Sequence, residues 1–80
     1  MDATFSHDGR RIVTASTDGT ARVWNAFTGE LLAMLSGHTR VVSHARFSLD
    51  GQRIVTSSLD TTARVFRLTT LTEIVKLLQL

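Results

Sequence analysis

Cysteine is absent from these 80 residues, which excludes disulfide staples and thiolate metal sites. A chain of this length buries only roughly 60% of its unfolded surface, so small folds usually borrow stability from disulfides, metals or oligomerisation. The three histidines, His7, His38 and His44, stand at no clustered spacing, so no metal and no cofactor is expected and oligomerisation is the route left open. Long apolar runs are also missing, and no basic-then-apolar leader is read at the start, so neither a membrane span nor export is expected and the default location is the cytoplasm. One small domain is the upper bound, which excludes a multidomain enzyme.

Basic blocks are likewise missing. Nine basic and seven acidic residues give a net charge of +2, and the pI of about 10.5 arises because eight of the nine bases are arginine. Arg10, Arg11, Arg22, Arg40, Arg46, Arg53, Arg64 and Arg67 are dispersed among apolar and hydroxyl residues. This pattern suits solvated strand faces whose arginine stems cover apolar neighbours better than a nucleic-acid groove. The single tryptophan and four phenylalanines read as core, since stacking platforms interleave exposed aromatics with a basic channel. No nucleic-acid or membrane partner is expected.

What is present is a repeat. Residues 3–25, ATFSHDGRRIVTASTDGTARVWN, return at 45–67 as ARFSLDGQRIVTSSLDTTARVFR, an offset of 42 with 15 of 23 positions identical. A period of 40 to 45 residues is that of four-stranded propeller blades. The β-branched runs from Arg11 to Ser16 and from Arg53 to Ser58 predict strands. Asp8-Gly9 and Asp50-Gly51 predict tight hairpins in which Asp bonds the backbone and Gly takes a positive φ. Third strands are expected at Ala21 to Asn25 and Ala63 to Arg67, and Thr28-Gly29 turns the first copy into a fourth at Leu31 to Leu35. In the second copy the tail is ambiguous. Leu71, Ile74, Val75 and Leu78 have helical spacing, and Thr70 with Glu73 matches a capping box, whereas repeat register places a strand at Ile74 to Leu78.

These residues resemble the WD-repeat β-propeller family. The resemblance rests on Gly37-His38 ahead of a blade, the Phe-Ser-x-Asp-Gly hairpins at Phe5 and Phe47, the turn aspartates Asp18 and Asp60, and Val23-Trp24-Asn25 where the family usually writes Trp-Asp. It implies an all-β fold of two four-stranded antiparallel blades, residues 1–36 and 37–80. In that family a His, a Ser or Thr, the turn Asp and the Trp form a buried brace. Carried over, the brace is His38, Ser57, Asp60 and Phe66 in the second blade, with Phe66 lacking the indole N–H. In the first blade it is Asp18 and Trp24, with Ala15 in the hydroxyl position. His38, Ser57 and Asp60 also have the composition of a catalytic triad, and a hydrolase using His38 and Asp60 is the catalytic alternative. The resemblance favours the brace, and no nucleophile beside an oxyanion site can be read from the sequence.

Two blades expose apolar flanks on both sides, while propellers close with four to eight blades. The expected outcome is therefore a homo-oligomeric ring of two to four chains, or a fragment of a longer propeller. The family's usual role implies a non-catalytic scaffold binding other proteins or peptides, with Thr17, Val41, Ser43 and Leu59 on the contact face. The alternative is a self-assembling repeat pair with no partner of its own.

Overall fold

A computed structural model describes residues 2–68. β1 (Ala3–Phe5), β2 (Arg11–Ala15), β3 (Ala21–Asn25) and β4 (Leu31–Leu35) form one antiparallel meander, and β5 (Val42–Phe47), β6 (Arg53–Ser58) and β7 (Ala63–Arg67) a second. The strands expected from the repeat are all present within the described residues. The tail for which strand and helix were both open lies outside them, so the second sheet is described with three strands.

The two first hairpins are chemically the same. Asp8 accepts from the Ser6 hydroxyl at 2.6 Å and from the Arg10 amide at 3.0 Å, and Asp50 repeats this with Ser48 at 2.6 Å and Gln52 at 2.9 Å. Gly9 and Gly51 both take φ +72°, a conformation that costs a side chain bearing Cβ roughly 1 to 2 kcal/mol. Register then follows from the turn, pairing Phe5 with Ile12 and Phe47 with Ile54.

Strand alternation decides which face is closed. Val13 lies opposite Val23 and Ala15 opposite Ala21, and these four, each at most 2% exposed, meet Val42, Ala45 and Ile54 of the second sheet in one core. Burying each of the larger aliphatic side chains contributes roughly 1.5 to 3 kcal/mol. Polar contacts fix the sheets in place around that core. The Val42 amide donates to the Ser16 carbonyl at 3.0 Å, and the Thr4 hydroxyl to the Ala45 carbonyl at 3.3 Å. Arg11 lays its guanidinium 5.3 Å from the Phe47 ring centroid while bonding the Gly51 carbonyl at 2.6 Å. Arg46 reaches back from the second sheet to the Asp2 carboxylate.

The next turn differs between copies. Gly19 has φ +86°, and a Cβ there would stand 2.8 Å from the His38 carbonyl oxygen. Its counterpart, Thr61, has φ +72° and is the one non-glycine residue with positive φ among the described residues. Thr61 is exposed, so its strain is unrelieved by packing. Thr61→Gly is expected to raise stability by about 1 kcal/mol, and Gly19→Ala to lower it by more because strain and a backbone clash combine. Urea denaturation midpoints of the two variants check both signs.

Candidate functional site

The polar centre of the second blade is built by strand pairing and one loop. Thr56 is buried on β6 beside Ile54's face of the sheet, Asp60 follows in the β6–β7 turn, and Gly37-His38 arrives on the loop before β5. His38 Nδ1 lies 2.9 Å from Asp60 Oδ2 and Nε2 lies 2.7 Å from Thr56 Oγ1. The carboxylate only accepts, so Nδ1 carries a proton, and in the neutral ring the Thr56 hydroxyl donates to Nε2. Asp60 is further held by the Thr62 hydroxyl and amide at 2.5 and 2.9 Å and by the Thr39 amide at 3.1 Å. These bonds, the Thr62 hydroxyl first and then His38, hold its carboxyl well below the usual carboxylate range.

The hydroxyl of this brace is Thr56, not Ser57. Successive side chains on a strand face opposite ways, and Ser57 lies on the other face, where its carbonyl accepts from the Ser43 hydroxyl at 3.2 Å. The same correction applies in the first blade. Ala15 replaces nothing, because the hydroxyl is that of Thr14, which accepts from the Trp24 indole Nε1 at 2.9 Å. Trp24 pairs directly with Ile12, so Thr14 is its diagonal neighbour, within reach of a long aromatic side chain. A signal for this choice was present in the repeat: Thr14 and Thr56 are identical between copies, whereas Ala15 and Ser57 differ.

The brace is thereby divided. The second blade has the histidine half, His38 with Thr56 and Asp60, and Phe66 beside it supplies no donor. The first blade has the tryptophan half, and Asp18 turns instead to Arg22, whose Nη2 donates at 2.8 Å. Thr20 repeats the role of Thr62, donating from hydroxyl and amide to Asp18 at 2.6 and 3.0 Å. Next to Thr14 lies a half-open hollow of about 340 Å³ lined by Asp2, Ala3, Thr14, Ala15, Ser16 and Arg22. Thr14, Ser16 and Arg22 are the 42-residue counterparts of Thr56, Ser58 and Arg64, which enclose the Gly37 to Arg40 loop in the second blade. The Arg22 Nε is buried there without a partner.

As a catalytic dyad the His38 pair is badly placed. The His38 side chain is 1% exposed and both its nitrogens are bonded, leaving no path for a substrate. His7 lies in a turn and His44 on β5, 3.5 Å from Asp2 at the surface. Among the described residues no three His, Cys, Asp or Glu side chains gather as metal ligands, and no helix is long and apolar enough to cross a membrane. Of the four residues that the resemblance placed on a contact face, three lie near one another. The Leu59 amide donates to the Val41 carbonyl at 3.0 Å, and Ser16, next to Thr17, receives the amide of Val42. Ser43 is half-buried and turns its hydroxyl inward to the Ser57 carbonyl.

The model of the WD domain, G-beta repeat, matches residues 1–25 and 29–67. The chain belongs to the WD-repeat family. WD repeat-containing protein 86 of Homo sapiens is 46% identical over 39 residues, 49% of this chain and 10% of that protein. WD repeat-containing protein pop1 of Schizosaccharomyces pombe is 46% identical over 39 residues, 49% of this chain and 5% of its own length. A WD repeat-containing protein of Dictyostelium discoideum is 39% identical over 49 residues, 51% of this chain and 8% of that protein. The chain thus spans a tenth or less of these relatives. Its two sheets are WD-type blades, and the brace of the second departs from the full WD-repeat pattern at Phe66.

Two outcomes follow for the brace. His38→Ala leaves the buried Thr56 hydroxyl and the Asp60 carboxylate without their shared partner and is expected to cost about 1 to 3 kcal/mol, read from denaturant midpoints. Because the folded pKa of Asp60 is depressed, its contribution is complete above the unfolded pKa of about 4 and is lost as pH falls through and below that value. Asp60→Asn is therefore less stable than the parent at pH 7, and the gap narrows in acid. A gap constant from pH 7 down to pH 2 would contradict the linkage.

Proposed function

We propose that this chain is a non-catalytic protein-interaction module that presents the loop end of its blades to another protein or peptide. The observation that carries this reading is the gathering of Thr17, Val41 and Leu59 at one end of the two sheets, with Thr17 and Leu59 exposed. Beneath them the buried His38–Thr56 and His38–Asp60 bonds hold the Gly37 to Arg40 loop. A rigid end of this kind binds without first ordering a loop, which lowers the entropic cost of association. Ser43 supports the strand under that end and is not itself a contact.

The arginines favour a protein partner over nucleic acid. Arg11 is spent on Phe47 and Gly51, Arg22 on Asp18, and Arg46 on Asp2, so three of the eight arginines are committed within the chain and are not offered to a phosphate backbone. A cytoplasmic location, with no membrane partner, belongs to the same proposal. Assembly of two to four chains into a ring supplies the remaining blades. Pure self-assembly without a further partner is the second reading, and the exposed valines Val55 and Val65 on the outer face of the second sheet favour it.

Leu59→Glu combined with Val41→Glu is expected to abolish capture of a protein partner on the immobilised chain while leaving the chain's native mass unchanged. Retention of the same captured protein at wild-type yield would remove the loop end from the binding surface.

A further inference from the structure

We propose that a second copy of this chain docks head to tail on the outer face of the second blade, with Arg53 of one copy lying over Phe5 of the next. The inference deepens the assembly reading above and rests on it. It starts from the one blade-to-blade contact seen within the chain. There the first sheet offers the face of Thr4, Arg11, Val13, Ala15, Ala21 and Val23, and the second sheet receives it with the face that Ala45, Phe47 and Ile54 share by strand register with Thr56, Arg64 and Phe66.

Adding 42 to each offering position gives the outer face of the second blade: Arg46, Arg53, Val55, Ser57, Ala63 and Val65. Four of the six residue types are unchanged. Subtracting 42 from each receiving position gives the outer face of the first blade: Ala3, Phe5, Ile12, Thr14, Arg22 and Trp24. Five of the six are unchanged. Each molecule therefore carries a donor face and an acceptor face that match the halves of its own internal interface.

The match extends to the anchoring contact. Arg11 bonds the Gly51 carbonyl and covers the Phe47 ring, and the counterparts are Arg53, Gly9 and Phe5. Gly9 and Gly51 share φ +72°, so the carbonyl and ring that receive the arginine stand on the same hairpin in both blades. Arg53 is exposed and Phe5 is 62% exposed, and Val55 and Val65 are 45% and 66% exposed where their counterparts Val13 and Val23 are closed. Docking removes these apolar surfaces from water and adds a cation over an aromatic face. The two faces differ from one another, so the contact is heterologous and closes into a ring when the rotation per chain divides a full turn.

Light scattering on a sizing column tests this at micromolar concentration. The unsubstituted chain is expected at a multiple of its 8.8 kDa mass. Arg53→Glu and Phe5→Lys are each expected at monomer mass, since each spoils every junction in a ring. Mixed in equal amounts they are expected to regain a mass of two chains or a larger even number, because where the two variants alternate every junction holds either the original Arg53–Phe5 contact or a Glu–Lys ion pair. Both positions are on the surface, so the strand signal in circular dichroism should persist. A variant that loses it is replaced by Arg53→Gln or Phe5→Ser, which is judged on its own mass without the mixing step. A monomeric unsubstituted chain overturns the assembly reading and this junction with it. An assembled chain whose Phe5 variant keeps the full mass, or variants that stay monomeric on mixing, overturns the head-to-tail junction alone.

Discussion

Everything in this molecule depends on one aliphatic seam, where Val13, Ala15, Ala21 and Val23 close against Val42, Ala45 and Ile54. Among the described residues neither sheet has a second layer of its own, and a sheet with one apolar face must bury it against another element. The small residues Ala15, Ala21 and Ala45 matter as much as the valines, because they allow the sheets to approach closely enough for the Val42 amide to reach the Ser16 carbonyl. That bond and the Arg11 contact then fix the angle at which the second sheet leaves the first. Polar geometry here follows from apolar contact: guanidinium, ring and carbonyl meet only because the seam brings β2 to the Phe47 hairpin.

The two turn aspartates show how the same local motif settles on different partners. Asp60 and Asp18 occupy the same turn and are held by the same threonine contacts, yet one faces a buried imidazole and the other a half-exposed guanidinium. Where His38 is present, a loop is tied to the sheet from both ring nitrogens, and the buried pair acts in a low dielectric. The Asp18–Arg22 pair is a surface ion pair between residues four apart, a type of contact worth about 0 to 1 kcal/mol. Order at the loop end therefore comes from the second blade. Gly19 transmits it to the first, since only a glycine permits the His38 carbonyl to come so near.

The repeat made most of the fold legible. Hairpins at Asp8-Gly9 and Asp50-Gly51, the strand at Leu31 to Leu35 and the closed faces of β2 and β3 follow from turn chemistry and alternation. The partner of His38 did not, because family position pointed to Ser57, whereas alternation from Ile54 to Thr56 decides which hydroxyl faces the seam. Ser43 shows the same limit: its position along the chain suggested a contact face, whereas its hydroxyl is used by the Ser57 carbonyl. The Asp18–Arg22 pair was hidden for another reason. It joins two side chains four residues apart across a turn, and such a pair carries no motif of its own.

The same comparison of faces orders the strengths of the two junctions. Within the chain, Ala15 and Thr4 contribute small side chains to the seam. At their counterparts on the outer face stand Ser57, whose hydroxyl must be desolvated, and Arg46, whose charge is already engaged by Asp2. Burying an unpaired hydroxyl or displacing a charged contact costs free energy that the valines must offset. The intermolecular junction is also formed between separate molecules and loses translational freedom that the covalent link spares the internal one. The internal seam is therefore the stronger of the two. Under the proposed docking, dilution is expected to separate chains before it opens blades, so that concentration governs the assembly while the two-blade unit stays intact.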